Sequence, residues 1–206
     1  MAIRIEGPGS SGGATNVAGV DSRGRILVAA LTETESNKAT DAGNKYNINT
    51  GDIAITNATK LTTLYILNNG NNDIVIDSLI YNIGTSTSGT GDILLDVIRN
   101  PTAGDIITNT NVTQVQANTG GNFNFSSNNS SDVISYKGAQ GEAVVTGGQT
   151  HILTRNPAVS GRIPISPGGG LRLGKGASLA INYTPPASNT NQIVQFAANI
   201  YVVAPL

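Results

Sequence analysis

Apolar and polar residues alternate along most of this chain, and segments dense in Gly, Asn, Ser, Thr and Asp separate the alternating runs. Alternation with a period of two is typical of strands that bury one face, and the intervening composition is typical of turns. The pattern predicts ten or more short strands and no helix. Even TETESNKAT, residues 32–40, lacks an apolar stripe and is predicted to be a loop. The predicted strands are RILVAAL, YNI, IAIT, LTTLYILNN, DIVIDSLIYNI, DILLDVIRN, NVTQVQA, NFNF, VISYK, HILT, RIPI, LRL, SLAINY and QIVQFAANIYVV.

Two of these strands each have one apolar face and one polar face. Such strands are typical of antiparallel sheets, and two sheets that face each other through their apolar sides form a sandwich. The predicted fold is therefore an all-β antiparallel sandwich, jelly-roll-like because many short strands precede a long final one. The last strand has Val194, Phe196, Ala198, Ile200 and Val202 on one face and Gln195, Asn199 and Tyr201 on the other, and DIVIDSLIYNI has Ile74, Ile76 and Ile80 opposite Asp73, Asp77 and Tyr81.

Two glycine-containing segments are predicted to be turns. Asn69 and Gly70 tolerate positive φ, which favours a hairpin between LTTLYILNN and DIVIDSLIYNI. In PGGGLRLGKGAS, Lys175 follows Gly174, but a phosphate-binding loop needs G-x-x-x-x-G-K-S/T before a helix, and here a strand follows. These glycines are predicted to provide backbone freedom rather than to bind an anion.

The first 24 residues combine Gly and Ser with isolated apolar residues, which is too little hydrophobic content to form a core. They are predicted to form an extended N-terminal arm (residues 1–24), followed by one sandwich domain (residues 25–206). At roughly 3.3 Å per residue, the extended arm would reach about 80 Å. A flexible terminus with no role is the ordinary alternative.

Composition excludes several classes of partner and site. Of the 206 residues, 38% are hydrophobic and 12% are charged, and the net charge of −1 argues against nucleic-acid and membrane partners. The chain has no Cys, which excludes disulfides, thiolate nucleophiles and zinc–cysteine sites. No apolar run approaches the roughly 20 residues of a membrane helix, and the first residues lack the apolar segment of a secretory signal.

The sequence offers few groups for chemistry, and neither catalysis, a cofactor nor a metal is predicted. His151 alternates with apolar residues, and no G-x-S-x-G elbow is present. Asp73 and Asp77, like Asp92 and Asp96, lie about 13 Å apart along a strand at roughly 3.3 Å per residue, too far for a glycosidase pair. A cross-strand pairing of Asp77 with Asp96 stays open if those strands adjoin. The alternative is solvated carboxylates that discourage pairing at strand edges.

Several segments together resemble a family of small structural proteins encoded in tailed-bacteriophage genomes. They are VDSRGRILV, GNKYNINTGDIAIT, TLYILNNGNNDIVIDSLIY, DVIRNPTAGDII, YKGAQGEAVVTGG and LGKGASLAINYTPPASNTNQIVQFAANIY, and they cover nearly the whole chain. The resemblance implies a virion component made in the host cytoplasm, most simply a decoration or cement protein on the capsid surface. It also implies a homotrimer whose partners are the major capsid protein or other virion proteins. Attachment at the neck or tail is the alternative position.

The arm is predicted to order when it lies across neighbouring subunits. Two other functions stay open. One is a receptor- or glycan-binding virion module that uses Tyr136, or Asn128 and Asn129, at loop tips. The other is an enzyme, such as a glycan hydrolase with an aspartate pair. The predicted capsid or subunit contacts of the arm region are the apolar Ile3, Ile5 and Val17 and the charged Arg4, Arg23 and Arg25.

Overall fold

The computed structural model describes residues 19–20, 26–27, 34–84, 91–108, 113–114, 122–157, 161–165, 170–189 and 191–204. Contacts divide the chain into two units, Met1–Thr34 and Glu35–Leu206. In the first unit, β1 (Gly19–Val20) pairs antiparallel with β2 (Ile26–Leu27). Most of residues 1–33 lie outside the described residues, so the arm and its boundary at residue 24 stay predictions.

The second unit is built mainly from strands, and all the strand pairs among its described residues are antiparallel. This confirms the predicted all-β class. Its elements, in chain order, are α1 Glu35–Asp41, β3 Lys45–Asn49, β4 Ile53–Ile55, β5 Leu61–Asn68, β6 Asp73–Ile83, β7 Asp92–Arg99, α2 Asp105–Thr108, β8 Thr113–Gln114, β9 Val133–Lys137, β10 Gln149–Pro157, β11 Gly161–Ile165, β12 Leu171–Leu173, β13 Ser178–Thr184 and β14 Gln192–Val203.

The strands form two sheets that pack face to face. Sheet I has the order β10-β7-β13-β5-β9-β8, and sheet II has the order β11-β6-β14-β3, with β12 also paired to β6 and β4 to β14. Eight of these strands, β3, β5, β6, β7, β10, β11, β13 and β14, alternate between the two sheets in chain order. The exception is β10, which follows β7 and pairs with it within sheet I. The paths β3-β14-β6-β11 and β5-β13-β7-β10 are the two four-stranded sheets of an eight-stranded jelly roll. The jelly-roll prediction is confirmed.

The core between the sheets consists mainly of Ile, Leu and Val side chains. Four aromatic side chains, Tyr46, Tyr81, Tyr183 and Phe196, are also fully buried there. The Phe196 ring stacks on the Tyr81 ring at 5.9 Å and meets the edge of the Tyr183 ring at 6.0 Å. Such ring pairs stabilise the core through their preferred ring geometry, in addition to the stabilisation that comes from the apolar area they bury.

The predicted faces are confirmed for β14 but are wrong for the second half of β6. On β14 the alternation continues as predicted, and Phe196 lies in the core. On β6 a β-bulge at Asp77 inserts one extra residue opposite β14. The bulge shifts the alternation by one position, so Leu79 and Tyr81 enter the core, while Ile80 is only half-buried on the other face.

β5 and β6 do not form the predicted hairpin. β5 pairs with β13 and β9 in sheet I, and β6 pairs with strands of sheet II, so the Asn-Gly link is an arch between the sheets. Neither Asn69 nor Gly70 has positive φ. Instead Asn68, only 1% exposed, closes the arch. Its Nδ2 donates to Asn72 O at 2.8 Å and to Leu173 O at 2.9 Å, and its Oδ1 accepts from Gly70 N at 3.0 Å.

Two short helices cover the outer faces of the sheets, although no helix was predicted. The sequence predicts a loop at residues 32–40, but α1 begins at Glu35 and ends at Asp41. Ala39 is its buried residue. Ala39 packs against Val75 and Tyr201 on sheet II, and Ile106 of α2 packs against Tyr65 on sheet I. One buried side chain per helix leaves no apolar stripe in the sequence, so tertiary contact rather than pattern stabilises these helices.

Candidate functional site

The loop that leads into β9, residues 122–132, exposes two aromatic rings and is called the Phe125 loop below. Phe125 is 95% exposed and Phe123 is 40% exposed. Within the described part of the chain, the other large apolar side chain that is exposed is Ile193, at 37%. Among the large apolar side chains that the structure describes, Phe125 is therefore the most exposed.

The loop lies against the end of α1, which terminates in a Schellman motif. Gly43 N donates to Thr40 O at 3.0 Å, and Asn44 N donates to Ala39 O at 2.7 Å. Gly43 has φ +70°, the left-handed conformation that this motif requires. A Cβ at Gly43 would also collide with Ser127 of the loop, at 2.1 Å from its Oγ. Glycine at this position therefore both ends the helix and makes room for the loop.

Three asparagine side chains of the loop bind the backbone carbonyls at the end of α1. Such carbonyls have no partner within the helix, so they are available to outside donors. This arrangement fixes the loop to the domain at several points. The bonds are Asn122 Nδ2 to Gly43 O at 2.7 Å, Asn124 Nδ2 to Asp41 O at 2.9 Å, and Asn129 Nδ2 to Ala42 O at 3.1 Å.

Side chains also accept hydrogen bonds from backbone groups within the loop. Asn122 Oδ1 accepts from Asn124 N at 2.8 Å, and Asn124 Oδ1 accepts from Ser126 N at 3.1 Å. Ser127 Oγ accepts from Asn129 N at 3.1 Å. These are the local turns that Asn and Ser favour. The loop is therefore ordered by its own polar groups, and it presents the Phe125 ring outward.

The other ring, Phe123, is held against the domain. Lys45 Nζ lies 5.2 Å from its centroid, a cation–π contact. The same ammonium donates to Ser36 Oγ at 2.6 Å and lies 3.1 Å from Asp77 Oδ2. Phe123 therefore fixes the base of the loop, whereas Phe125 projects into solvent.

A polar cleft of about 140 Å³ lies beside this loop, at the end of the sandwich. Tyr46 lies in it, and its hydroxyl donates to Gly43 O at 3.2 Å. Burial, and secondarily the Asp132 carboxylate, raises the pKa of Tyr46 above its ordinary value. Neutral amides and hydroxyls beside one carboxylate can hydrogen-bond a small hydroxylated ligand. The lining residues are Asn44, Tyr46, Asn68, Gly70, Asn72, Ile74, Ser130, Ser131, Asp132, Val133 and Val202.

The residues predicted to bind partners have different outcomes. Tyr136 does not lie at a loop tip: it is in β9, with its ring stacked on Tyr65 at 6.4 Å. Asn128 and Asn129 do lie in the Phe125 loop, and both are exposed. The arm-region residues Ile3, Arg4, Ile5, Val17, Arg23 and Arg25 lie outside the described residues.

The proposed aspartate pair does not form. Asp77 is in sheet II and Asp96 is in sheet I, so their strands do not adjoin. His151 is exposed at a bulge in β10. Across the described ranges, no three His, Asp or Glu side chains converge into a metal-binding group. Each strand aspartate instead has a basic partner: Asp73 with Arg172 at 2.7 Å, Asp77 with Lys45 at 3.1 Å, Asp92 with Arg155 at 3.6 Å, and Asp96 with Lys60.

The sequence prediction missed the Phe125 loop because NFNF alternates like a strand. In the structure, Asn122 makes one isolated bridge to Tyr46, and the chain then turns. The density of Asn and Ser in NFNFSSNNSS was the available signal for a loop.

Comparison with known proteins adds no assignment. The sequence matches no protein-family model, and no curated protein matches it. In the part that the structure describes, no helix has the length and apolar character needed to cross a membrane.

Proposed function

We propose that this chain is a non-enzymatic structural virion protein that decorates or cements a bacteriophage capsid through its N-terminal arm and sandwich edges. The observation that carries the proposal concerns the surface of the domain: the carboxylates on its strands are paired with basic residues, whereas one phenyl ring is exposed to solvent. The four strand aspartates have basic partners, whereas the Phe125 ring is almost fully exposed. Such a surface is suited to contact with other proteins.

The sandwich edges support this proposal because edge strands leave backbone groups unpaired. β10 forms one edge of sheet I along nine residues, and β11 and β3 lie at the edges of sheet II. An unpaired edge can accept a strand from a neighbouring protein. Weak contacts of this kind are multiplied when many copies surround a capsid.

The arm supplies the second predicted contact. Its apolar anchors, Ile3, Ile5 and Val17, are small, and basic residues lie beside them in sequence. A segment of this composition has little tendency to fold alone but can order on a partner surface. The arm would then extend the contact beyond the sandwich.

The experiment compares the intact chain with a variant that lacks residues 1–24, using particles purified without this protein. Bound protein is measured by co-sedimentation, separately for capsids and for isolated tails. We expect the intact chain to bind capsids, and the shortened chain to lose binding while keeping the thermal unfolding transition of the sandwich. Full binding by the shortened chain rejects the role of the arm, and no binding by the intact chain rejects the proposed function.

A point variant separates arm chemistry from chain length. Changing Arg4 to alanine should weaken capsid binding at low salt. Arg162→Ala is the matched control, because Arg162 is exposed on β11, away from the arm in sequence. Equal loss in both variants would indicate that general positive charge, rather than the arm, governs binding.

A glycan-binding virion module is the second candidate function, and the polar cleft favours it. Asp132 and Asn72 line this cleft, and carboxylates and amides commonly bind sugar hydroxyls. Binding to a glycan array that Asp132→Ala abolishes and Asn71→Ala preserves would support this function. An array without hits would reject it.

A further inference from the structure

The polar cleft at the end of the sandwich has side chains that can bind a ligand directly. Among the residues that the structure describes, the Asp132 carboxylate and the Asn72 side-chain amide have no hydrogen-bond or ion-pair partner. Asn44 also lines the cleft, and in the described contacts its amide uses only Oδ1, which accepts from Asn129 Nδ2 at 3.3 Å. The cleft therefore offers a carboxylate that accepts hydrogen bonds beside amide nitrogens that donate them.

Charge in and around the cleft favours a neutral ligand over an anionic one. Among the described lining residues, Asp132 is the charged one. A ligand carboxylate, sulfate or phosphate would therefore meet a like charge, with no described lysine or arginine in the lining to bind it. The basic residues on neighbouring segments have partners of their own: Lys45 with Asp77, Arg172 with Asp73, and Lys175 with Asn71.

The size and the apolar walls of the cleft suit a single sugar ring. At about 140 Å³ the cleft is smaller than the pockets that hold drug-sized ligands, so it fits one ring better than a chain of rings. Ile74, Val133 and Val202 belong to its lining. A sugar ring has CH groups that pack on aliphatic side chains and hydroxyls that bind carboxylates and amides. The lining supplies both kinds of partner.

Gly70 keeps the space beside the Asp132 carboxylate open. A Cβ at Gly70 would lie 3.0 Å from the Asp132 Cβ and 3.1 Å from its Oδ2. The backbone of Gly70 is fixed by the arch between the sheets, since its N donates to Asn68 Oδ1 at 3.0 Å. This wall of the cleft is therefore formed before a ligand arrives, which lowers the cost of binding.

We infer that the cleft binds one neutral sugar ring and discriminates against acidic sugars. The Asp132 carboxylate accepts hydrogen bonds from two adjacent hydroxyls of the ring, and Asn72 Nδ2 donates to a hydroxyl oxygen. This inference rests on the glycan-binding function named above as the second candidate, and it does not depend on the capsid proposal.

The first experiment applies the full chain to a glycan array that contains pairs of glycans differing only in one carboxylate or sulfate group. We expect hits among the neutral glycans and a signal at least about fivefold weaker for the acidic member of each pair. Acidic glycans as the only hits overturn the inference but leave a glycan-binding function. An array with no hits overturns the inference together with that function, and the capsid proposal keeps its own test.

The second experiment measures the affinity for the strongest neutral glycan of the array by isothermal titration calorimetry. Asp132→Asn keeps the shape of the cleft and should weaken binding by about 10-fold, because a hydrogen bond to a charged acceptor is the stronger one. Gly70→Ala keeps the charge and should lose binding, because the added methyl group occupies the space beside the carboxylate. The matched control is Asn71→Ala, an exposed neighbour of Asn72, which should change the affinity less than about twofold.

The preference for neutral glycans separates a binding role of Asp132 from a structural one. We expect Asp132→Asn to bind the neutral and acidic members of a pair with nearly equal affinity, while its thermal unfolding transition stays that of the unmodified chain. A preference that is unchanged in Asp132→Asn overturns the inference. Affinity for a neutral glycan that survives both Asp132→Asn and Gly70→Ala also overturns it, since the sugar then binds elsewhere.

Discussion

Replacing Asn68 with alanine is expected to destabilise the domain by about 3 kcal/mol. The side chain is 1% exposed and makes three hydrogen bonds across the arch between β5 and β6. Alanine leaves Gly70 N and Leu173 O buried without these partners, at about 1–3 kcal/mol each. Asn72 is exposed, so water can replace the bond to its carbonyl.

The assay is urea denaturation followed by circular dichroism, with thermal unfolding as a second measurement. In a domain of this size, a loss of about 3 kcal/mol lowers Tm by roughly 6–12 °C. Asn71→Ala is the matched control, because Asn71 is exposed and its side chain accepts one bond, from Lys175 Nζ at 2.8 Å. It should cost less than about 0.5 kcal/mol. Equal stabilities of the two variants would refute the reasoning that Asn68 holds the arch.

Two further predictions concern ionisable groups. Double-mutant cycles should give a coupling of about 1 kcal/mol for the partly buried Lys60–Asp96 pair and less than about 0.5 kcal/mol for the exposed Arg155–Asp92 pair; equal couplings would contradict this. Burial raises the pKa of Tyr183, so above about pH 10 the unfolded chain loses this proton while the folded chain keeps it. Stability should fall there, and Tyr183→Phe should make the fall shallower by up to about 1.4 kcal/mol per pH unit; unchanged slopes in urea titrations would contradict this.

Alternation along the chain was sufficient to predict the class of fold, because a strand with one buried face carries its period in its own residues. β14 is the clearest case: Phe196 and Ile200 lie in the core as predicted. The alternation does not determine which strands pair with each other. An Asn-Gly pair between two strands favours a hairpin locally, but Asn68 binds Leu173, which is distant in sequence. That bond stabilises an arch between the sheets. It joins residues that are far apart in sequence, so no local pattern predicts it.

Features that depend on a single residue were also missed. The bulge at Asp77 reverses the faces of the rest of β6, and α1 depends on one apolar contact, made by Ala39. The candidate site shows the same limit. Asn128 and Asn129 were placed correctly in a loop, but the exposure of Phe125 follows from the bonds between the loop asparagines and the end of α1. Those bonds join segments that are far apart in the chain.

The proposed function is tested most directly by measuring how many copies of this chain are present in purified phage particles. Quantitative mass spectrometry against labelled peptides gives the molar ratio of this chain to the major capsid protein. The proposal predicts a fixed ratio that persists through gradient purification, with a copy number in proportion to the symmetry of the shell. Loss of the chain from particles at the first purification step would contradict it.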